Sequence, residues 1–184
     1  MPEILVVTFK ENLYRASGVL DELRVLDDKW ILDLEDAIAL HRDHDGAVGM
    51  DQNYQPTGRR SREWGAALGL LIGASLSIPF MATGNASVAE GVLIAASLGR
   101  TGTTGVDASI WEDTLGISRE FFERVSQLVL PGDSAIYAIL ETAGSEVASS
   151  RFQRYGGAVL TLTISIEQQQ KIQRLLRDGG RSQK

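Results

Sequence analysis

His41, Asp43, His44 and Asp45 form the chain's one cluster of metal-ligating side chains, and on a strand His41 and Asp43 would share a face, as a metal pair must. Two ligands beside a solvated turn do not close a coordination sphere, and there is no further histidine. The cluster therefore reads first as the polar end of a hairpin, with a polar site at His41 and Asp43 as the alternative. Glu90 is the second candidate. It is the one acid in residues 64–106, an apolar stretch where an ionisable group is a functional candidate by default. Ser87-Val88-Ala89-Glu90 is also an S-x-x-E capping box, which would put the carboxylate at a helix start and satisfy it there. Residues 99–105, Gly-Arg-Thr-Gly-Thr-Thr-Gly, have the composition of an anion-cradling loop. They lack the Gly-Lys-Ser/Thr ending and follow no strand, so they read as a linker.

What is missing excludes more. The chain has no cysteine, which removes disulfides, thiolate metal sites, iron–sulfur clusters and thiol nucleophiles. It contains no G-x-S-x-G, H-E-x-x-H or G-x-G-x-x-G. Nothing in it calls for a metal or a cofactor, and the balance leans away from an enzyme. The formal net charge of −6 and pI near 5.0 speak against a nucleic-acid partner, because phosphate contact needs the opposite sign. Residues 1–7 lack the basic region and cleavage site of a secretory signal, so the expected location is the cytoplasmic side.

With 184 residues, 43% hydrophobic and 23% charged, the chain can bury a core without staples. Residues 1–54 hold twelve acids against five bases, 55–106 two against four, and 107–184 ten against nine. The middle third, rich in Gly, Ala and Ser, is predicted to be an insertion into a domain made by its flanks. In the first flank, 4–9 is a continuous apolar run and predicts a strand covered on both faces. Leu13, Ala16, Val19, Leu20, Leu23 and Leu26 follow at helical spacing. A second strand begins near Asp36 and runs through Ile38 and Leu40 to the turn at Asp45-Gly46, with 47–52 as its return partner.

In the second flank Ser118 caps a helix carrying Phe121, Phe122, Val125, Leu128 and Val129, which Pro131-Gly132 ends. Residues 135–140 are apolar at both parities and predict another buried strand. A short helix over 145–155 stops at Gly156-Gly157. The next strand puts Leu160, Leu162 and Ile164 on one face and Thr161 and Thr163 on the other, the pattern of an edge. Ser165 and Gln168 form an S-x-x-Q box opening a C-terminal helix over 166–177. The expected fold class is α+β: a ferredoxin-like split βαβ sheet with an inserted Gly/Ala-rich helical hairpin and a C-terminal helix. Residues 1–54 make the first half of the body, 55–117 the hairpin and linker, and 118–184 the second half.

Residues 64–82 are nineteen without a charge, and Gly65, Gly69 and Gly73 recur every four. On a helix they make a flat stripe on which another backbone can lie. Gly91, Ala95 and Gly99 repeat the pattern in the next segment, so the two helices can face each other around the turn at 83–86. Two settings are open. In a membrane, Arg59, Arg60 and Arg62 before the first helix and Arg100 after the second would hold both ends at the cytoplasmic face, with Trp64 at the interface. Residues 65–78, before the break expected at Pro79, span only about 21 Å against a hydrocarbon core of ~30 Å. In a soluble oligomer the same small-residue stripes pack protein against protein.

The blocks 4–9, Leu20-Asp21-Glu22-Leu23, Leu34-Glu35-Asp36-Ala37, 43–46, Gly116-Ile117, Phe121-Phe122 and Leu130-Pro131-Gly132-Asp133-Ser134-Ala135, around a Gly/Ala-rich middle, resemble a bacterial family of domains of unknown function described as predicted membrane proteins. The resemblance runs over about residues 3–165. It implies a membrane leaning and no catalytic residue. The first functional expectation is a non-enzymatic module that self-associates through its glycine-zipper hairpin, with lipid as a further partner at the inner membrane. The alternative is a soluble oligomeric enzyme or small-ligand-binding protein with a pocket between sheet faces.

Overall fold

The computed structural model describes residues 2–29, 33–51, 68, 72, 116–140, 150, 152–165, 167, 168, 170 and 171. Their elements run β1 (Glu3–Phe9), α1 (Arg15–Asp28), β2 (Leu34–Arg42), β3 (Val48–Asp51), α2 (Arg119–Leu128), β4 (Ser134–Leu140) and β5 (Ala158–Thr163). The strands form one antiparallel sheet in the order β3-β2-β4-β1-β5, so the chain is α+β. The two apolar runs with no alternation, β1 and β4, lie inside the sheet, where both faces need cover. Strand β4 separates β1 from β2, so the halves of the sheet interleave.

Register sorts the side chains into two faces. Toward α1 point Leu5, Val7, Phe9, Leu34, Ala37, Ala39, Ile136, Ala138 and Leu140. They pack with Ala16, Val19, Leu20, Leu23 and Leu26 of α1 and with Phe152. The helical stretch holding Phe152 ends in a turn at 154–156, where Gly156 has φ +75°, the left-handed conformation glycine reaches without strain. On the opposite face lie Ile4, Val6, Thr8, Asp36, Ile38, Leu40, Ala135, Tyr137 and Ile139, all buried. Among the described residues, Leu68, Ile72, Ile117, Phe121, Val125, Val129 and Ile164 are buried outside the α1 cluster and are available to cover this second face.

Helix α2 starts where a cap permits: the Ser118 side chain accepts a hydrogen bond from the Phe121 N–H. It ends at Leu128, three residues before Pro131, and Val129, expected inside the helix, is the buried residue just past its end. Strand β2 begins at Leu34, two residues earlier than its alternation suggests, because a register shift between Leu34 and Asp36 breaks the period there. The Leu34 N–H donates to Asp27 Oδ1, closing the α1–β2 connection. At the C-terminal side the capping box is reciprocal. The Ser165 N–H donates to Gln168 Oε1 at 2.8 Å, and the Gln168 N–H donates to Ser165 Oγ at 3.2 Å. Gln168 Nε2 also donates to the Gly116 carbonyl, tying this helix start to the loop before α2.

Candidate functional site

Among the described residues, polar side chains gather at two places. The first is the end of the sheet where β1 and β2 finish and β4 begins. Asp133 is its centre: Oδ1 accepts the Glu11 N–H at 3.0 Å, and Oδ2 accepts the Leu130 N–H at 2.9 Å and Lys10 Nζ at 2.7 Å. Lys10 Nζ also donates to the Leu128 carbonyl at 2.7 Å. Burial pushes the Asp133 carboxyl up, but the Lys10 ammonium and the two N–H donors outweigh it and hold the group below its ordinary value. Next to it, Ser134 Oγ accepts the Ala16 N–H and donates to the Asn12 carbonyl. The backbone joins in, with the Arg42 N–H donating to the Asp133 carbonyl and the Gly132 N–H to the Arg42 carbonyl. With both oxygens engaged, Asp133 is a clamp that fastens the loop after β1 to the start of β4. Its side chain is 4% exposed and serves these three donors.

The candidate histidines sit at the rim of this clamp and point to different neighbours. His41 Nε2 is 3.7 Å from Asp43 Oδ1, an ion-pair distance rather than a hydrogen bond. Its ring lies against Gly49 of β3, where an added Cβ would collide with the imidazole, and 6.3 Å from the Tyr14 ring. His44 instead lies over Gly132, whose φ of +92° and 3.0 Å distance from an added Cβ to the imidazole both favour glycine. The two rings are thus each engaged with a different glycine. Among the described residues no three His, Asp or Glu side chains converge as metal ligands would.

The second place is Asp36, on the sheet face away from α1. The residue is 3% exposed. Its Oδ1 accepts the Ala37 N–H at 2.9 Å, and Oδ2 has no hydrogen-bond partner among the described residues. Burial, opposed by the Ala37 N–H and reinforced by the neighbouring Glu35 charge, pushes its pKa from 3.8 up to about 7. Register places Thr8, Tyr137 and Asp36 on successive strands, each stepped two residues along, so a diagonal of polar side chains crosses an otherwise apolar face.

Sequence patterns pointed to His41 and Asp43 but not to Asp36 or Asp133. The available signal for Asp36 is an acid followed by six residues of strand sequence; alternation alone puts the boundary there, whereas the strand starts at Leu34. For Asp133, the Pro-Gly-Asp-Ser turn was the signal, and its long-range partner Lys10 lies 123 residues away. Glu90, Gly65, Gly69, Gly73, Gly91, Ala95 and Gly99 lie outside the described residues. No helix among the described residues is long and apolar enough to cross a membrane.

A family model matches residues 63–177, more than half of the chain. The chain belongs to the family described as protein of unknown function, DUF1269. The resemblance to a domain-of-unknown-function family is thereby borne out. The match begins within the predicted insertion and runs through β4 and β5, so what this chain shares with DUF1269 includes the glycine-rich middle. No curated protein and no solved structure matches the chain.

Proposed function

We propose that this DUF1269 protein is a non-enzymatic, self-associating module: a ferredoxin-like split βαβ body carrying a glycine-zipper helical hairpin on the sheet face away from α1. The strand order, with β4 between β1 and β2 and β5 outside β1, supports the split βαβ assignment. The observation that carries the hairpin's role is the burial of Leu68 and Ile72. Both are helical, four residues apart, and 1% and 0% exposed. These two positions are therefore used up in intramolecular packing. On a helix of 100° per residue, Gly65, Gly69 and Gly73 form a parallel row one residue further round, which remains for contact with another helix.

Replacing Gly69 by Leu tests this. The larger side chain should separate the contacting backbones, giving a smaller particle by light scattering even though the isolated helix gains about 1 kcal/mol of propensity. A variant that keeps its size and melts higher would end the zipper assignment. Lipid is the second partner this hairpin admits, given nineteen residues without a charge. At native expression level, retention on alkaline-washed membranes supports an inner-membrane location on the cytoplasmic side, and full recovery in the cytosolic fraction removes it.

Asp36 favours a second reading, a soluble oligomeric enzyme or small-ligand-binding protein with a pocket between sheet faces, because a buried carboxylate oxygen without a hydrogen bond among the described residues is what a polar ligand could satisfy. Native mass spectrometry of freshly purified protein separates the two: a stoichiometric extra mass supports the pocket, and the bare chain mass refutes it.

A further inference from the structure

The outer edge of β5 is built for a partner, and we propose that the partner is a second copy of this chain, joined antiparallel through residues 158–163 so that two five-stranded sheets become one of ten strands. Strand β5 pairs with β1 over six unbroken positions, from Glu3 opposite Thr163 to Thr8 opposite Ala158. Among the described residues no strand pairs with its other side. An exposed strand of this kind presents a row of backbone N–H and C=O groups, and proteins that stay monomeric guard such rows with charge, proline, a bulge or shortness. Ala158-Val159-Leu160-Thr161-Leu162-Thr163 has none of these devices, and residues 155–166 carry no charge at all. The opposite edge differs: β3 is four residues long, ends in Asp51, and has the His41 ring packed on Gly49. Among the described residues only the β5 edge is left open.

Three features select an identical copy as the occupant. A two-fold axis normal to the sheet keeps each face continuous only if directly opposed residues have the same parity. Centred on Thr161, that register sets Leu160 opposite the partner's Leu162 on one face, and Thr161 opposite the partner's Thr161 and Val159 opposite the partner's Thr163 on the other. Leucine meets leucine and β-branched residues meet β-branched residues, the pairs that stabilise a ladder. Leu160 and Leu162 are only half-buried in one chain, so the copy covers apolar surface that the fold leaves wet. Charge agrees. In a chain of net charge −6 the seam is neutral, and its flanks carry exposed Arg154 at one end and exposed Glu167 at the other. Antiparallel pairing brings the basic end of each copy beside the acidic end of the other.

The seam rests on the self-association reading but uses a surface separate from the glycine row, so the two fail independently. Because the chain has no cysteine, a single introduced thiol reports one contact. Thr161→Cys places two thiols directly opposed at β-ladder spacing, and mild oxidation should convert most of the protein to a covalent dimer, whereas Val25→Cys on the exposed side of α1 should not cross-link. Thr161→Lys sets two ammonium groups against each other on an exposed position, so the particle mass should halve while the far-UV circular dichroism and melting of the body persist. If Thr161→Cys cross-links no better than Val25→Cys, or Thr161→Lys leaves the mass unchanged, the seam is overturned. Loss of mass in Gly69→Leu with none in Thr161→Lys overturns the seam and keeps the zipper; the reverse keeps the seam and removes the zipper. A wild-type chain monomeric at every concentration refutes both.

Discussion

Asp36 and Asp133 are both buried carboxylates in one small body, and their surroundings drive them in opposite directions. Asp133 faces an ammonium and two N–H donors, so ionisation is stabilised by what it touches. Among the described residues Asp36 has one N–H for two oxygens and a largely apolar face around it, so ionisation is opposed. The sign for Asp36 follows from linkage. Below about pH 4 the group is protonated in folded and unfolded chains alike and adds nothing pH-dependent. As pH rises toward 7 the unfolded chain ionises while the folded chain keeps its proton, so stability falls; above about 7 the loss levels off at roughly 4 kcal/mol. Asp36→Asn keeps an oxygen for the Ala37 N–H and removes the titration. Its unfolding free energy relative to the parent should therefore improve by up to about 4 kcal/mol between pH 4 and pH 8, as urea titrations at the two pH values would measure. A difference that does not change with pH would show that Asp36 is solvated in the native protein. Neither aspartate was legible as a buried group, because sequence pattern reports which positions are apolar and says little about a polar residue whose partner is distant or missing.

Elements were more legible than residues wherever a single period governs them. The even-handed apolar runs of β1 and β4, the α1 stripe and the capping serines at 118 and 165 all report local physics that neighbours in sequence already contain. Legibility failed where two strands negotiate register, as at the shift between Leu34 and Asp36, since the irregularity belongs to the pair. Gly157 illustrates the same limit. In the chain it looks like a helix stop, but its Cα faces β1: an added Cβ would lie 2.6 Å from Val7 Cγ1, 3.0 Å from Phe9 Cε1 and 3.3 Å from the Thr8 carbonyl oxygen. These neighbours are buried, and one of them is backbone, so little can give way. Gly157→Ala should cost about 1–3 kcal/mol and lower the melting temperature, with Gly156→Ala as the contrast. At Gly156 an added Cβ meets nothing within 4 Å, and the penalty there is the left-handed φ of +75° alone, about 1 kcal/mol. A smaller loss at Gly157 than at Gly156 would mean that the start of β5 is loosely seated.

At the scale of the whole molecule, the halves cannot be separated without dismantling the sheet. Both neighbours of β1, strands β4 and β5, and the inner neighbour of β2 come from residues beyond 133, so a chain ending at residue 54 keeps only the β2–β3 hairpin of the ladder. In that fragment both edges of β1 would be unpaired, and the α1 cluster would lose Ile136, Ala138, Leu140 and Phe152. A hairpin and one helix do not bury enough apolar area to offset chain entropy. Residues 1–54 alone should show no cooperative transition in urea, and adding residues 55–184 as a separate chain should restore one, because the register that joins β1 to β4 is specified on both strands. The burial of Leu68 and Ile72 refines what a shortened chain would do. If residues 55–115 were a detachable ornament, joining the flanks by a short linker, with Gly116 and Ile117 kept, would leave stability unchanged. Two side chains at 1% and 0% exposure each contribute about 1.5–3 kcal/mol by leaving water, so the shortened chain should lose roughly 3–6 kcal/mol and unfold at a lower urea midpoint. A shortened chain as stable as the parent would mean that neither residue's burial contributes to the body, and the proposed docking of the hairpin would fall with it.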